Sequence, residues 1–268
     1  MVILMSKVLN LINASSIKQS IKNGKREGSR GFDEFRNLEI KTSVINSADG
    51  SAWVKLGNTE IVAGIKFIVG TPYPDSPNEG SMSINLELTG LSSPDFSTGP
   101  PKIEAVEYGR VADRAIRSAE CIDFKKLSIV PGEKVLIMFI DCIAINADGN
   151  LIDATEIAAL AAIKNARIPK IDKNFKIISN EYSDKKIELL NLPLSITFEK
   201  IENKIIIDPT EDEEFASDAR FSIGLTKDKI VSCQKSKGGV FSEKEIFTMI
   251  DISVKKYNEM VKKIEELK

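Results

Sequence analysis

The order of patterned segments constrains this chain more than any single motif: two blocks of short strands, each closed by a helix. In the first block, residues 38–45 alternate in polarity. Residues 46–50 hold an Asp-Gly pair of the kind that turns a hairpin, 51–56 return, and 59–69 form a long β-branched run. Pro72, Pro74, Pro77 and Gly80 interrupt the pattern, residues 82–88 alternate again, and a proline-glycine loop at 92–101 leads into a helix over 104–117. Residues 135–146 read as a strand buried on both faces. A tight turn at Asp148-Gly149 then precedes an alanine-rich helix over 154–166, with Asp153 placed as its cap and Glu156 three residues on.

The second block predicts strands at 194–199, 204–208, 219–226 and 229–234, then a long terminal helix. Ser242 and Glu245 form a capping box there, and Ile246, Met249, Ile250, Tyr257, Met260, Val261, Ile264 and Leu267 supply its buried stripe. A further helix over 6–23 opens the chain, with Val8, Leu9, Leu11, Ile12, Ile17 and Ile21 roughly on one side. Runs of strands followed by helices imply an α+β fold, two related sheet/helix halves packed into one body. The expected divisions are 1–30 for the helix and a basic turn, 31–168 for the first half, 169–188 for a mixed, partly exposed connector, and 189–268 for the second half.

Composition removes several function classes. The chain contains no histidine, so Ser-His-Asp and Cys-His nucleophilic pairs, histidine metal ligands and imidazole bases are excluded. Cys121, Cys142 and Cys233 are widely spaced and lack a C-x-x-C pattern, and read as buried thiols, not as a disulfide frame or zinc site. The net charge of −2 means that any nucleic-acid contact must come from a local patch or from a surface completed by a partner. The apolar opening at residues 1–5 is too short for a secretion signal, and the run at 135–140 stops at Asp141. The expectation is a soluble, cytoplasmic protein with no membrane span, no metal and no cofactor.

The helix over 104–117 has a sorted surface. At about 100° per residue, Arg110, Arg114 and Arg117 fall within about 60° of one another, while Ala105, Tyr108, Ala112, Ala115, Ile116 and Ala119 gather opposite. The arginines offer planar, permanently charged forks suited to phosphate oxygens. The competing reading is a solvated face, with Glu107 and Asp113 pairing Arg110 and Arg117 at i,i+3 and i,i+4. Three other features carry two readings each. Asp208, Glu211, Asp212, Glu213, Glu214 and Asp218 form either a Mg²⁺ site or a solvated acidic loop, and no basic cradle nearby would hold an anionic nucleophile. The 235–239 segment is either a phosphate contact or a flexible link. Trp53 is either core or interface, or a stacking platform.

Four segments together resemble the RNase PH family of phosphorolytic exoribonucleases. They are Gly50-Ser51-Ala52-Trp53-Val54-Lys55-Leu56-Gly57-Asn58-Thr59, Thr98-Gly99-Pro100-Pro101, Glu107-Tyr108-Gly109-Arg110-Val111-Ala112-Asp113-Arg114-Ala115-Ile116-Arg117, and Ile207-Asp208-Pro209-Thr210. Within the family the chain is most similar to the non-catalytic ring subunit of the archaeal exosome. That resemblance implies an RNase PH-like fold and a hetero-hexameric ring with three copies each of this chain and a catalytic paralogue. It implies RNA degraded from its 3′ end by inorganic phosphate, cap proteins on the ring, and RNA-contacting arginines carried over to Arg110 and Arg114, with Arg117 on the same face. The chain departs from the active pattern at three places. Gly99-Pro100-Pro101 stands where the catalytic subunit has paired arginines. Asn150-Leu151-Ile152-Asp153 stands where it has a phosphate-binding turn, and Asp153 would repel a phosphate dianion there. Arg26-Glu27-Gly28-Ser29-Arg30 replaces the usual Arg-x-Asp-Gly-Arg. The alternatives to a non-catalytic subunit are an active phosphate-dependent 3′→5′ exoribonuclease and a plain assembly protein whose arginines pair only with its own acids.

Overall fold

The computed structural model describes residues 2–96 and 99–267; side chains are described from Ile12 onward, apart from Glu27, Lys185 and Lys186. Thr98 of the loop motif, and Val8, Leu9 and Leu11 of the first helix's expected stripe, therefore lie outside the described side chains. Helix α1 (Val2–Lys22) precedes strands β1 (Leu38–Thr42), β2 (Gly50–Leu56), β3 (Thr59–Gly70) and β4 (Ser81–Leu88). Helix α2 (Ile103–Ser118), short β5 (Ser128–Val130), β6 (Lys134–Asn146) and α3 (Leu151–Lys164) complete the first half. A hairpin of β7 (Arg167–Ile171) and β8 (Ile177–Lys186) follows. The second half holds β9 (Leu194–Ile201), β10 (Lys204–Ile207), α4 (Glu211–Ala216), β11 (Ala219–Leu225), β12 (Ile230–Ser236) and α5 (Glu243–Glu265).

The first sheet runs β1-β2-β3-β6-β4, with β5 added on β6; the second runs β10-β9-β11-β12. All pairings are antiparallel except β4 with β6. Helix α3 joins the halves, packing on β2 and β3 of one sheet and on β9 of the other, with α2 beside it. Alanine makes this possible. Ala154, Ala158, Ala159, Ala161 and Ala162 are all fully buried, and small side chains let backbone layers close on both sides. Gly50 shows the same tightness: a Cβ there would lie 2.6 Å from the Ala162 carbonyl oxygen. Helix α5 packs on β9 and β11, and its Ser242–Glu245 capping box forms as expected. Met249, Tyr257, Met260, Val261 and Ile264 of its stripe are buried.

Several expectations are corrected. β6 is not buried on both faces: Asp141 and Ile143 are exposed, because the chain covers only one side of the first sheet. The 169–188 connector is largely the β7–β8 hairpin, held to the first half through Asp49, whose main-chain oxygen accepts from the Arg167 backbone and whose carboxylate accepts from the Tyr182 hydroxyl. Asp153 does not cap α3. The helix begins earlier, after Asn150 in the left-handed region (φ 50°, ψ 41°), and Asp153 lies inside its first turn. The 208–218 run is not a solvated loop: it contains α4, capped by Thr210 and Glu213. Cys233 is exposed, whereas Cys121 and Cys142 are buried, and burial pushes both of those thiols up to about 12.

Candidate nucleic-acid interface and the adjoining acidic cleft

Helix α2 buries Ala105, Tyr108, Gly109, Val111, Ala112, Ala115 and Ile116 against β4 and α3. Gly109 lets it approach closely, since a Cβ at that position would sit 3.1 Å from the Ile84 carbonyl oxygen. The opposite face reaches solvent. Arg110 is exposed, and its guanidinium has no partner among the described residues. Arg114 is exposed and donates from Nη1 to Gln234 Oε1 of β12 at 3.1 Å.

Arg117 differs from both. It donates to Asp113 from Nε and Nη2 (3.1 and 2.9 Å) and from Nη2 to the Met82 carbonyl (2.9 Å), and its guanidinium lies 5.8 Å from the Phe124 ring centre. The i,i+4 pairing therefore forms at Arg117. Glu107 does not pair with Arg110; it accepts instead from the Ser236 hydroxyl and, at 3.5 Å, from Gln234 Nε2. Trp53 is half-buried, with Lys41 Nζ 4.6 Å from its ring centre.

Beside α2 lies a cleft of about 780 Å³, where the loop at 93–95 meets α2, α4 and the end of β12. Six carboxylates line it: Asp95, Glu104, Glu107, Glu211, Asp212 and Glu214. Desolvation raises the Glu211 carboxyl to about 7, and repulsion from Asp95, Asp148, Asp212 and Glu214 adds to the rise. Its two cations are already engaged. Arg220 donates to Glu199 (2.6 Å) and to the Tyr108 hydroxyl (2.8 Å), and pairs with Glu214 (2.9 Å). Lys237 donates to Glu199, to the Glu214 carbonyl and to the Ser217 hydroxyl. The 235–239 segment is thus anchored rather than a free link. Carboxylates outnumber cations on this concave wall and the cations are paired, so a phosphate dianion entering it meets net repulsion.

The turn after Asp148 is held by internal hydrogen bonds. Asn150 Nδ2 donates to Asp208 (2.9 Å) and to Asp153 (3.0 Å), while Asp153 accepts from the Thr197 hydroxyl (2.6 Å) and backbone (3.0 Å). Burial raises the Asp153 carboxyl to about 7, against the lowering by these hydrogen bonds. Glu156, one turn on, accepts from Ser195 N (3.1 Å), and burial raises it to about 8.

Asp208 goes the other way. Burial would raise it, but Arg36, donating from its backbone and side chain at 2.7 to 2.9 Å, holds it below the ordinary carboxylate range. Arg30 adds a bond at 2.7 Å, and Arg26 grips Glu213 from two nitrogens at 2.7 and 2.8 Å. Arg26 and Arg30 thus bind the acidic run to the N-terminal turn. Among the described residues no group of acids, cysteines or histidines is arranged to hold a metal ion.

Sequence reasoning missed Arg36, Gln234 and the Glu199–Arg220 pair. The last had a faint signal, a charge at a buried position in each of two strands. Only the β9–β11 register, which sets Arg220 opposite Glu199, turns it into a pair.

Two sheet/helix halves thus share one central helix, with an arginine face outside and an acidic cleft beside it. Residues 34–169 match domain 1 of the 3′ exoribonuclease family and residues 191–256 match its domain 2. The chain belongs to this family. It is 42% identical to the exosome complex component Rrp42 of Thermococcus gammatolerans, across 97% of this chain and 93% of that protein. It is 39% identical to the Rrp42 component of Methanosarcina acetivorans, across 96% and 94%. A chain of the Archaeoglobus fulgidus exosome solved with RNA bound to the active site superposes with a TM-score of 0.89 at 39% identity, covering 96% of this chain and 99% of that one. Rice Rrp46, at 18% identity and a TM-score of 0.68, shares the fold. No helix among the described residues is long and apolar enough to cross a membrane.

Proposed function

We propose that this chain is a non-catalytic, RNA-binding ring subunit of an archaeal-type exosome, which degrades RNA from its 3′ end by phosphorolysis. A catalytic paralogue is its partner, three copies of each alternating in a hexameric ring in the cytoplasm, with cap proteins above the channel. The observation that carries this reading is the charge of the cleft. Phosphorolysis needs a site that holds orthophosphate, and a cleft of six carboxylates whose two cations are already paired disfavours one, which supports the non-catalytic reading. High coverage of Rrp42 relatives at about 40% identity supports the subunit type. Arg110 and Arg114 are the arginines that keep donors free for RNA, and they act beside the partner's active site. Arg117 is assigned to the fold of α2, not to RNA.

The test uses the ring assembled with its catalytic paralogue. Arg110→Ala with Arg114→Ala is expected to weaken RNA binding and slow degradation while the ring keeps its size. Removing one arginine–phosphate interaction lowers the log–log salt slope by about 0.7 for single strands. Unchanged affinity in the double variant would overturn the RNA role. Nucleoside diphosphates released from RNA by this chain alone, given phosphate, would establish the active-enzyme alternative.

A further inference from the structure

Between the two arginines and the cleft lies a short side-chain relay that the RNA reading does not use. Gln234 of β12 stands between Glu107 and Arg114, which are seven residues apart on one face of α2. Gln234 Nε2 faces Glu107 Oε1 at 3.5 Å, and Gln234 Oε1 accepts from Arg114 Nη1 at 3.1 Å. Ser236, two residues further along β12, donates its hydroxyl to the same Glu107 oxygen.

The orientation of the amide follows from chemistry. A guanidinium donates only, so the oxygen of Gln234 must face Arg114, which leaves its NH₂ end toward Glu107. One end of the Arg114 fork is thereby pinned. Its Nε and Nη2 have no partner among the described residues and keep their donors for a phosphate. Arg110, one turn earlier, has no such anchor.

We propose that Gln234 is a positioning residue for Arg114: β12 aims one of the two RNA-gripping arginines through the Ser236–Glu107–Gln234 relay, and Arg110 is left to adapt. The proposal rests on the RNA-binding reading of Arg114. Pre-ordering the fork lowers the cost of immobilising a long side chain when RNA arrives, an effect of about two- to tenfold in affinity for one such side chain.

The experiment uses the assembled ring and a labelled single-stranded oligo(A), with the dissociation constant read across a salt series and ring size monitored. Gln234→Ala is expected to weaken binding about two- to tenfold with the salt slope unchanged, because Arg114 still meets its phosphate but is no longer aimed at it beforehand. Gln234→Glu places a carboxylate against Arg114 and captures the fork. It is expected to match Arg114→Ala, with weaker binding and a slope smaller by about 0.7. Ser236→Ala, which touches neither arginine, is expected to move affinity in the direction of Gln234→Ala by a smaller factor. If Gln234 had no positioning role, Gln234→Ala would keep wild-type affinity whatever the added charge of Gln234→Glu does to the slope.

If Arg114→Ala weakens binding while Gln234→Ala binds as the wild type, the positioning role is overturned and the RNA reading stands. If Arg114→Ala itself leaves affinity and slope unchanged, the RNA reading fails and the relay falls with it.

Discussion

Replacing Arg26 by methionine removes one member of an ion pair sealed from water. The Arg26 side chain is 0% exposed and that of Glu213 is 1% exposed. Arg26 supplies two bonds to the Glu213 carboxylate and three to the carbonyls of Gly31, Ile207 and Asp208. In the variant, Glu213 keeps the Thr210 backbone donor at 2.9 Å and Arg30 at 3.5 Å. Stranding one charge of a buried pair costs about 3–5 kcal/mol. The residual partners place this case near the lower end, about 3 kcal/mol, a large part of a marginal folding free energy of about 5–15 kcal/mol. Glu213→Gln in the Arg26→Met background removes the stranded charge, so the double variant is expected to be more stable than the sum of the singles by about 1–3 kcal/mol. Urea titrations followed by circular dichroism, compared at constant m, measure all four corners. A cost under about 1 kcal/mol for Arg26→Met, or additivity of the two substitutions within about 0.5 kcal/mol, would refute this account of the pair.

Three further outcomes follow from the geometry. Burial holds the Asp153 and Glu156 carboxyls at about 7 and about 8 in the folded chain, above their ordinary 3.8 and 4.5, so the folded state binds these protons more tightly than the unfolded one. That contribution is complete below about pH 4 and declines as pH rises toward 8; Glu156→Gln should flatten the fall in urea midpoint between pH 5 and 8, and parallel wild-type and variant curves would refute it. Gly149 has φ +76°, and a Cβ there would lie 2.4 Å from the Thr210 carbonyl carbon. Gly149→Ala must push the turn off α4 and is expected to lower the melting temperature by roughly 5–10 °C, the effect of about 2–3 kcal/mol in a chain of this size, and a shift under about 2 °C would contradict this packing. Arg117→Ala removes an exposed i,i+4 pair with Asp113, worth about 0.3–0.5 kcal/mol. It should leave the RNA salt slope of the ring unchanged, and a slope lowered as far as by Arg114→Ala would return Arg117 to the RNA face.

Much of the fold was legible because its signals are local. The strand pattern of 82–88 and the stripe of 104–117 needed only nearest-neighbour periodicity, and both elements form within a residue or two of expectation. The candidate arginines were legible for the same reason, since helical spacing alone puts Arg110 and Arg114 on the face away from Ala112 and Ala115. The fate of Arg117 was half legible: its partner Asp113 is four residues away, but the Met82 carbonyl is 35 residues away. The relay through Gln234 was not legible, since it joins α2 to a strand 120 residues later.

The chain's sequence determined the α+β order of elements and the sorted surface of α2. Only the tertiary structure decided which charges are solvated and which are locked. It turned the acidic run at 208–218 into an internal partner for Arg26, Arg30 and Arg36, drew Asp153 and Glu156 into the seam between α3 and β9, and left the outer face of β6 open. The physical reason is range. Periodicity is written in neighbouring residues, whereas the desolvation of a charge, and the partner that offsets it, are set by whatever the fold brings to its side, here from as far as 187 residues along the chain.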